Sequence, residues 1–191
     1  GEVPNIEAPL HPKSQALVQL VVDILGREAD AKILVFTNFN EFAQTSSTLL
    51  KRVVEKVFWM RPNSGLAKRT KTVKLFKTCD APAVLFANVR SMGCGVNLTE
   101  ASHVIIADVI LNKQLDGQCI GRVHRMGQTA PVFIFRMITK GTIEERIQKL
   151  KSEKRALFDS TFKDVNMVKD IHEYFANLNH LTALESEETA D

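Results

Sequence analysis

Short runs that are apolar at nearly every position, separated by helically spaced segments, constrain this 191-residue chain more than any other feature. The runs are Lys32-Ile-Leu-Val-Phe-Thr37, Val57-Phe-Trp-Met60, Ala83-Val-Leu-Phe-Ala87, Val104-Ile-Ile-Ala107 and Val132-Phe-Ile-Phe-Arg-Met-Ile138. An amphipathic strand alternates apolar with polar, whereas these do not, so they suit strands buried on both faces. Pro12 fits the first turn of a helix whose Leu17, Leu20, Val21, Ile24 and Leu25 follow helical spacing. Asn40 is placed to N-cap a helix carrying Phe42, Leu49, Leu50 and Val53, and Pro62 with Asn63-Ser64-Gly65 closes the second strand. A basic helix over 67–76 turns Val73 and Phe76 inward, and a helix over 114–125 forms despite Gly117 and Gly121. Thr142 with Glu145 makes a capping box ahead of Ile143, Ile147 and Leu150.

This alternation predicts an α/β fold, a parallel sheet flanked by helices on both faces, with a C-terminal helical extension. Ligands of such sheets gather beyond the carboxyl ends of the strands, where 37–40, 88–95 and 108–112 fall. The expected division is a linker segment at 1–12, one domain over 13–158, and a helical extension and acidic tail over 159–191. Residues 1–12 lack a signal-peptide pattern and resemble a boundary inside a longer protein. A 45% hydrophobic, 25% charged composition argues for a packed core rather than disorder, and no apolar run is long enough to span a membrane. Cys79, Cys94 and Cys119 show no C-x-x-C spacing, which disfavours a disulfide framework and a zinc site. Net charge is only +3, but nine bases and the single acid Glu55 lie between Lys51 and Lys77. Either a solvated helix face or a phosphate-facing surface accounts for that bias.

Two segments carry candidate chemistry. In Arg90-Ser-Met-Gly-Cys-Gly-Val-Asn97-Leu98, Gly93 and Gly95 permit close backbone approach to phosphate, although glycines also make ordinary turns. In Gln118-Cys-Ile-Gly-Arg-Val-His-Arg-Met-Gly-Gln128, helical spacing puts Gln118, Arg122 and Arg125 on one side, side by side. Guanidiniums stay charged and grip phosphate bidentately; exposed arginines in surface ion pairs are the plainer alternative. His124 reads as a structural or hydrogen-bonding histidine, with no carboxylate nearby to orient it as a base. The chain contains no G-x-x-x-x-G-K-[ST] phosphate loop, zinc helix or nucleophile elbow, so by itself it should not turn over ATP.

Taken in order, the segments resemble the C-terminal RecA-like lobe of Swi/Snf-type, superfamily-two ATPases. Lys32 to Phe39 resembles K-x-L-[IV]-F-[ST]-x-[FY], and Arg90 to Asp108 resembles R-A-G-G-x-G-[ILV]-N-L-x-x-A-x-x-V-[IF]-x-x-D. Gln118 to Gln128 matches Q-[AC]-x-x-R-x-H-R-x-G-Q at every fixed position, and Ile143-Glu144-Glu145 matches the following I-E-E. Ile110-Leu-Asn and Ile120-Gly-Arg-Val-His-Arg look most like the SHPRH-type branch, large RING ubiquitin-ligase helicases.

The resemblance implies a nuclear, ATP-dependent duplex-DNA translocase acting in chromatin remodelling or DNA repair. A first RecA-like lobe of the same protein would hold ATP with Mg²⁺, and this lobe would carry no metal. Arg122 and Arg125 would be catalytic arginine fingers. Gln118 and Gly95 would join them in ATP binding, and Thr37, Asn38, Asn88, Arg90 and Asn97 would face the DNA. Nucleosomes and ubiquitin-pathway proteins are further partners the family admits, and no membrane is implied. The chain departs from the pattern at Arg61-Pro62-Asn63, Asn88-Val89, Ser91-Met92 and Leu111-Asn112-Lys113. A catalytically inactive RecA-like binding platform within a ubiquitin ligase or chromatin protein is the alternative. Gln128 argues against an RNA helicase of the DEAD-box kind, where arginine is usual.

Overall fold

The computed structural model describes residues 11–161, apart from 62, 81, 90–95 and 111. The elements are α1 (Pro12–Arg27), β1 (Lys32–Phe36), α2 (Asn40–Leu50), β2 (Lys56–Met60), α3 (Leu66–Thr78), β3 (Ala83–Ala87), β4 (His103–Ile106), α4 (Lys113–Ile120), β5 (Phe133–Arg136) and α5 (Ile143–Thr161). The chain divides into two compact units, 1–151 and 152–191. Of the second unit, the described part is 152–161, which is helical.

All five strands are parallel, in the order β2-β3-β1-β4-β5. The three inner strands are buried throughout apart from the half-buried Lys32, which is why their sequences lack alternation. Alternate residues nevertheless serve different layers. Leu34, Phe36, Met60, Leu85, Val104 and Ile106 join Val73 and Phe76 of α3 and Cys119 of α4 in one core. The intervening Ile33, Val35, Val84, Phe86 and Ile105 are buried on the opposite face, as are Leu17, Val21, Leu49 and Leu50 of α1 and α2. Phe36, Phe76 and Phe86 are fully enclosed, each contributing roughly 1.5–3 kcal/mol by leaving water.

The connection after β1 therefore runs to α2 on one face, and the connection after β4 runs to α4 on the other. Two adjacent strands whose connections diverge open a crevice at the carboxyl edge, where ligands of α/β sheets bind. Phe36 pairs with Ala87 and with Ile106, so the ends of β3, β1 and β4 reach that edge together.

Two boundaries differ from the sequence reading. Phe39 rather than Asn40 occupies the N-cap of α2, because the Phe39 carbonyl already accepts the first helical bond, from Ala43 N–H at 3.1 Å. The helix expected over 114–125 stops at Ile120. Asn112 caps its start, accepting from the N–H groups of Gln114 and Leu115 at 2.8 and 3.4 Å. At its end the Arg122 carbonyl accepts from Leu98 N–H at 2.8 Å. That tertiary bond replaces helix continuation in a segment already weakened by Gly117 and Gly121.

Candidate functional site

Asp108 organises the crevice between β1 and β4. Only 7% exposed, its Oδ2 accepts from the Thr37 hydroxyl at 2.9 Å and from Asn38 N–H at 2.5 Å. Burial raises the Asp108 carboxyl above its ordinary range, against the opposing pull of the Asn38 and Thr37 donors and the Lys13 charge. The carboxylate ties the loops after β1 and β4 together. Asn88, at the end of β3, donates from Nδ2 to Asn38 O at 3.3 Å, which extends the tie across three strands. Asn38 is exposed and Asn88 half-buried, while Thr37 is buried at 2% with its hydroxyl both donating to Asp108 and accepting from Phe39. Three of the sequence-selected polar residues thus converge on one edge.

A second tie runs beside the first. Lys13, buried in α1, pairs with Glu144 at 2.5 Å, and the other Glu144 oxygen accepts from Thr139 N–H at 2.8 Å. Burial pushes the Glu144 carboxyl up, but the Lys13 ammonium and the Thr139 donors outweigh it and hold the group below its ordinary range. The expected capping box is present in altered form. Thr142 Oγ1 accepts from Glu144 N–H at 3.2 Å, and Glu145 reaches back to Gly141 N–H at 2.9 Å. Gly141 has φ +72°, which suits glycine at that turn.

Leu98 is fully buried and Asn97 beside it is half-buried, its Oδ1 enclosed without a hydrogen-bond partner among the described residues. Arg90 and Gly95 lie outside the described residues. After α4 the backbone turns through 121–127, held by His124 N–H to Ile120 O at 2.9 Å and Gln128 N–H to Arg125 O at 3.0 Å. Arg122 is half-buried between buried Cys119 and Val123, whereas Gln118, His124 and Arg125 are exposed. His124 has no side-chain partner among the described residues, so the structural role expected for it is not seen. The Arg122 Nε is enclosed and unpartnered, and neither guanidinium has a carboxylate within ion-pair distance among the described residues. Among the described residues these arginines make no surface ion pair, the plainer alternative. Two guanidiniums with no ion-pair partner among the described residues, one with a buried donor unpartnered there, fit a polyphosphate group.

Gln128 closes this turn. Its Nε2 donates to Thr99 O at 2.9 Å and Ala101 O at 3.0 Å, and its Oε1 accepts from Ala130 N–H at 3.0 Å. Preceded by Gly127 at φ +101°, it fastens the arginine-bearing turn to the approach to β4. An open groove of about 410 Å³ lies at the opposite edge of the sheet, but Glu28, Asp30 and Glu100 line it and would repel a phosphate. Among the described residues, no cluster of three or more His, Cys, Asp or Glu could hold a metal, and no helix is long and apolar enough to cross a membrane.

Comparison with known proteins shows the family and the fold. The helicase conserved C-terminal domain family matches residues 12–127, and the chain belongs to that family. The DNA repair protein RAD5 of Cryptococcus neoformans is 33% identical over 162 residues, spanning 83% of this chain and 13% of that protein. The DNA repair protein rhp54 of Schizosaccharomyces pombe is 29% identical, over 99% of this chain and 23% of that one. Among solved structures, the C-terminal part of the Fun30 ATPase domain superposes with a TM-score of 0.68 at 29% identity, covering 78% of this chain and 48% of that chain. The Sulfolobus solfataricus SWI2/SNF2 ATPase core domain, at 24% identity and a TM-score of 0.59 over 80% of this chain and 31% of that one, shows the shared fold. The relatives are Swi2/Snf2-type ATPases, helicase-like proteins of DNA repair and chromatin, and the sheet is their RecA-like fold. The chain spans about one eighth to one quarter of the length of these curated relatives.

Proposed function

We propose that this chain is the second motor lobe of an ATP-dependent duplex-DNA translocase, working in the nucleus on chromatin or DNA repair intermediates. The observation that carries the proposal is the pair of guanidiniums of Arg122 and Arg125, without an ion-pair partner among the described residues, on a turn bonded to the connection between β3 and β4. In this reading Arg122 and Arg125 donate to oxygens of the transferring γ-phosphoryl group of ATP, whose Mg²⁺ and β-phosphate are held by a first lobe. Such fingers contribute on the order of 10³–10⁵ in rate. Gln118 borders the nucleotide, and Gly95 belongs to the loop that approaches it. Asn38, Asn88, Arg90 and Asn97 face the phosphates of the tracking strand, while Thr37, its hydroxyl held by Asp108, acts by fixing the loop. Phosphate contacts carry no base information, so binding is sequence-tolerant and salt-sensitive. With the fingers on one lobe and the phosphate loop on the other, closure and hydrolysis become one event, and this lobe alone is inactive. Placement in the ubiquitin-ligase branch, with nucleosome or ubiquitin-pathway partners, rests on the 110–112 and 120–125 segments.

The test is ATP hydrolysis by the two-lobed protein alone, and with duplex DNA, single-stranded DNA or RNA. Stimulation by duplex that disappears in Arg125→Ala, with folding intact, is the expected result. A folded protein that hydrolyses ATP with none of them is instead an inactive binding platform, and turnover retained by Arg125→Ala removes the finger assignment.

A further inference from the structure

Between Lys56 and Cys79 the sequence holds seven bases and no acid, and the structure sorts the five lysines among them into two groups. Those near the carboxyl end of α3 are employed. Lys77 pairs with Glu100 at 2.9 Å, and Lys56 donates to Asp80 O at 3.1 Å. Lys68, Lys71 and Lys74 are different. All three are exposed, and none has a carboxylate within ion-pair distance among the described residues. Three-residue steps at 3.6 residues per turn place them on one slanting stripe, rising roughly 9 Å along the axis. Lys71 stands almost opposite the buried Val73 and Phe76 that seat the helix.

The stripe works against the stability of its own helix. Like charges three apart repel, and Lys68 sits in the first turn, where the macrodipole disfavours a cation and where α3 has no acid. An acid at any neighbouring helical position would relieve this, and none is present. A polyanion laid along the stripe removes both penalties. A duplex carries one charge per ~1.7 Å of its axis, so three cations over ~9 Å find phosphates in any register. The stripe also starts from the carboxyl edge of β2, the same end of the sheet that carries Asn38 and Asn88.

We propose that Lys68, Lys71 and Lys74 on the outer stripe of α3 form a second contact for the phosphate backbone of duplex DNA, apart from the strand-end loops. The contact is sequence-independent and does not require the arginine fingers to act. The experiment measures binding of the two-lobed protein to a 30-base-pair duplex across a salt series, without ATP, so the fate of hydrolysis does not enter. Three neutralised phosphates correspond to a slope of about −2.7 in log K against log salt. Lys68→Gln/Lys71→Gln/Lys74→Gln should flatten the slope by that amount and weaken binding on the order of a hundredfold near 0.15 M salt. Lys71→Gln alone should flatten it by about 0.9, and replacing all three by Arg should leave it unchanged. The triple Gln variant should also melt no lower than the parent, since it removes repulsion. An unchanged slope overturns the proposal. So does polyglutamate that competes for the stripe as well as DNA at equal charge, which would make the partner an acidic protein.

Discussion

Replacing Asp108 separates what its charge does from what its oxygen does. The carboxylate lies in the crevice at 7% exposure and receives two donors, the Thr37 hydroxyl at 2.9 Å and Asn38 N–H at 2.5 Å. Hydrogen bonds to a charged group are worth about 1.5–3 kcal/mol each, so the pair is worth about 3–6 kcal/mol gross. Burial, however, lifts the Asp108 carboxyl above its ordinary range, so its donors do not fully repay desolvation. In Asp108→Ala the relief of that cost offsets part of the loss, while the buried Thr37 hydroxyl is left without an acceptor. The net destabilisation should be about 3 kcal/mol, or roughly 6–12 °C in Tm for a lobe of this size. Asp108→Asn keeps an acceptor oxygen of the same reach and has no charge to desolvate, so it should lie within about 1 kcal/mol of the parent. The assay is urea unfolding of both variants at pH 7, with m-values checked for equality. An Asn variant as unstable as the Ala variant would show that the charge, through Lys13, holds the crevice together, and the reasoning from the donors would fail.

Three further outcomes follow from other contacts within the fold. Gln128→Ala removes three hydrogen bonds at an open edge and should cost about 2 kcal/mol in urea unfolding. Gln128→Glu should cost more, because it sets a carboxylate against the Thr99 and Ala101 carbonyls; the reverse order would contradict the assigned amide orientation. His103 is buried and stacked on Phe133 and Phe135 with ring centroids 5.1 and 6.1 Å away. Burial lowers its imidazole below the ordinary range, and Glu28 opposes this. The unfolded chain therefore binds the extra proton first as pH falls, and stability is lost on acidification below about pH 6.5. His103→Phe should remove that dependence in Tm measured from pH 8 to pH 5. Cys119, its thiol pushed up to about 12 chiefly by burial, should stay unmodified by iodoacetamide at pH 8 until urea unfolds the chain, as peptide mapping would show.

The strands were legible because burial on both faces leaves no other pattern open to them, and β1 and β3 fall within a residue of the apolar runs. The family motif located Arg122 and Arg125, and the helical-spacing reading misjudged what carries them. Helical spacing has no means of showing that the Arg122 carbonyl bonds Leu98 N–H, and that bond is where the helix reading failed. The organising carboxylates were harder still. Asp108 was visible as the closing aspartate of the Arg90–Asp108 motif with no role attached to it, and Glu144 only as part of I-E-E. Lys13 meets Glu144 across 131 residues of sequence, a separation at which periodicity carries no information. Thr37 shows the same limit from the other side, since its hydroxyl is occupied within the fold rather than offered at the surface.

The bond from Leu98 N–H to Arg122 O gives the two arginines unequal mechanical footing. Arg122 emerges from backbone pinned between Cys119 and Val123, both within 1% of full burial, and tied to a fully buried neighbour strand connection at Leu98. Arg125 emerges three residues later from an exposed turn next to Met126, which is 96% exposed. One guanidinium thus has a stiff mount and the other a compliant one. A stiff mount fixes where charge is delivered, and a compliant one lets the second arrive only when something on the far side draws it in. In amide exchange the Leu98 proton should be slow to leave, with the turn around Arg125 exchanging well ahead of it, until a bound polyphosphate brings the two rates together.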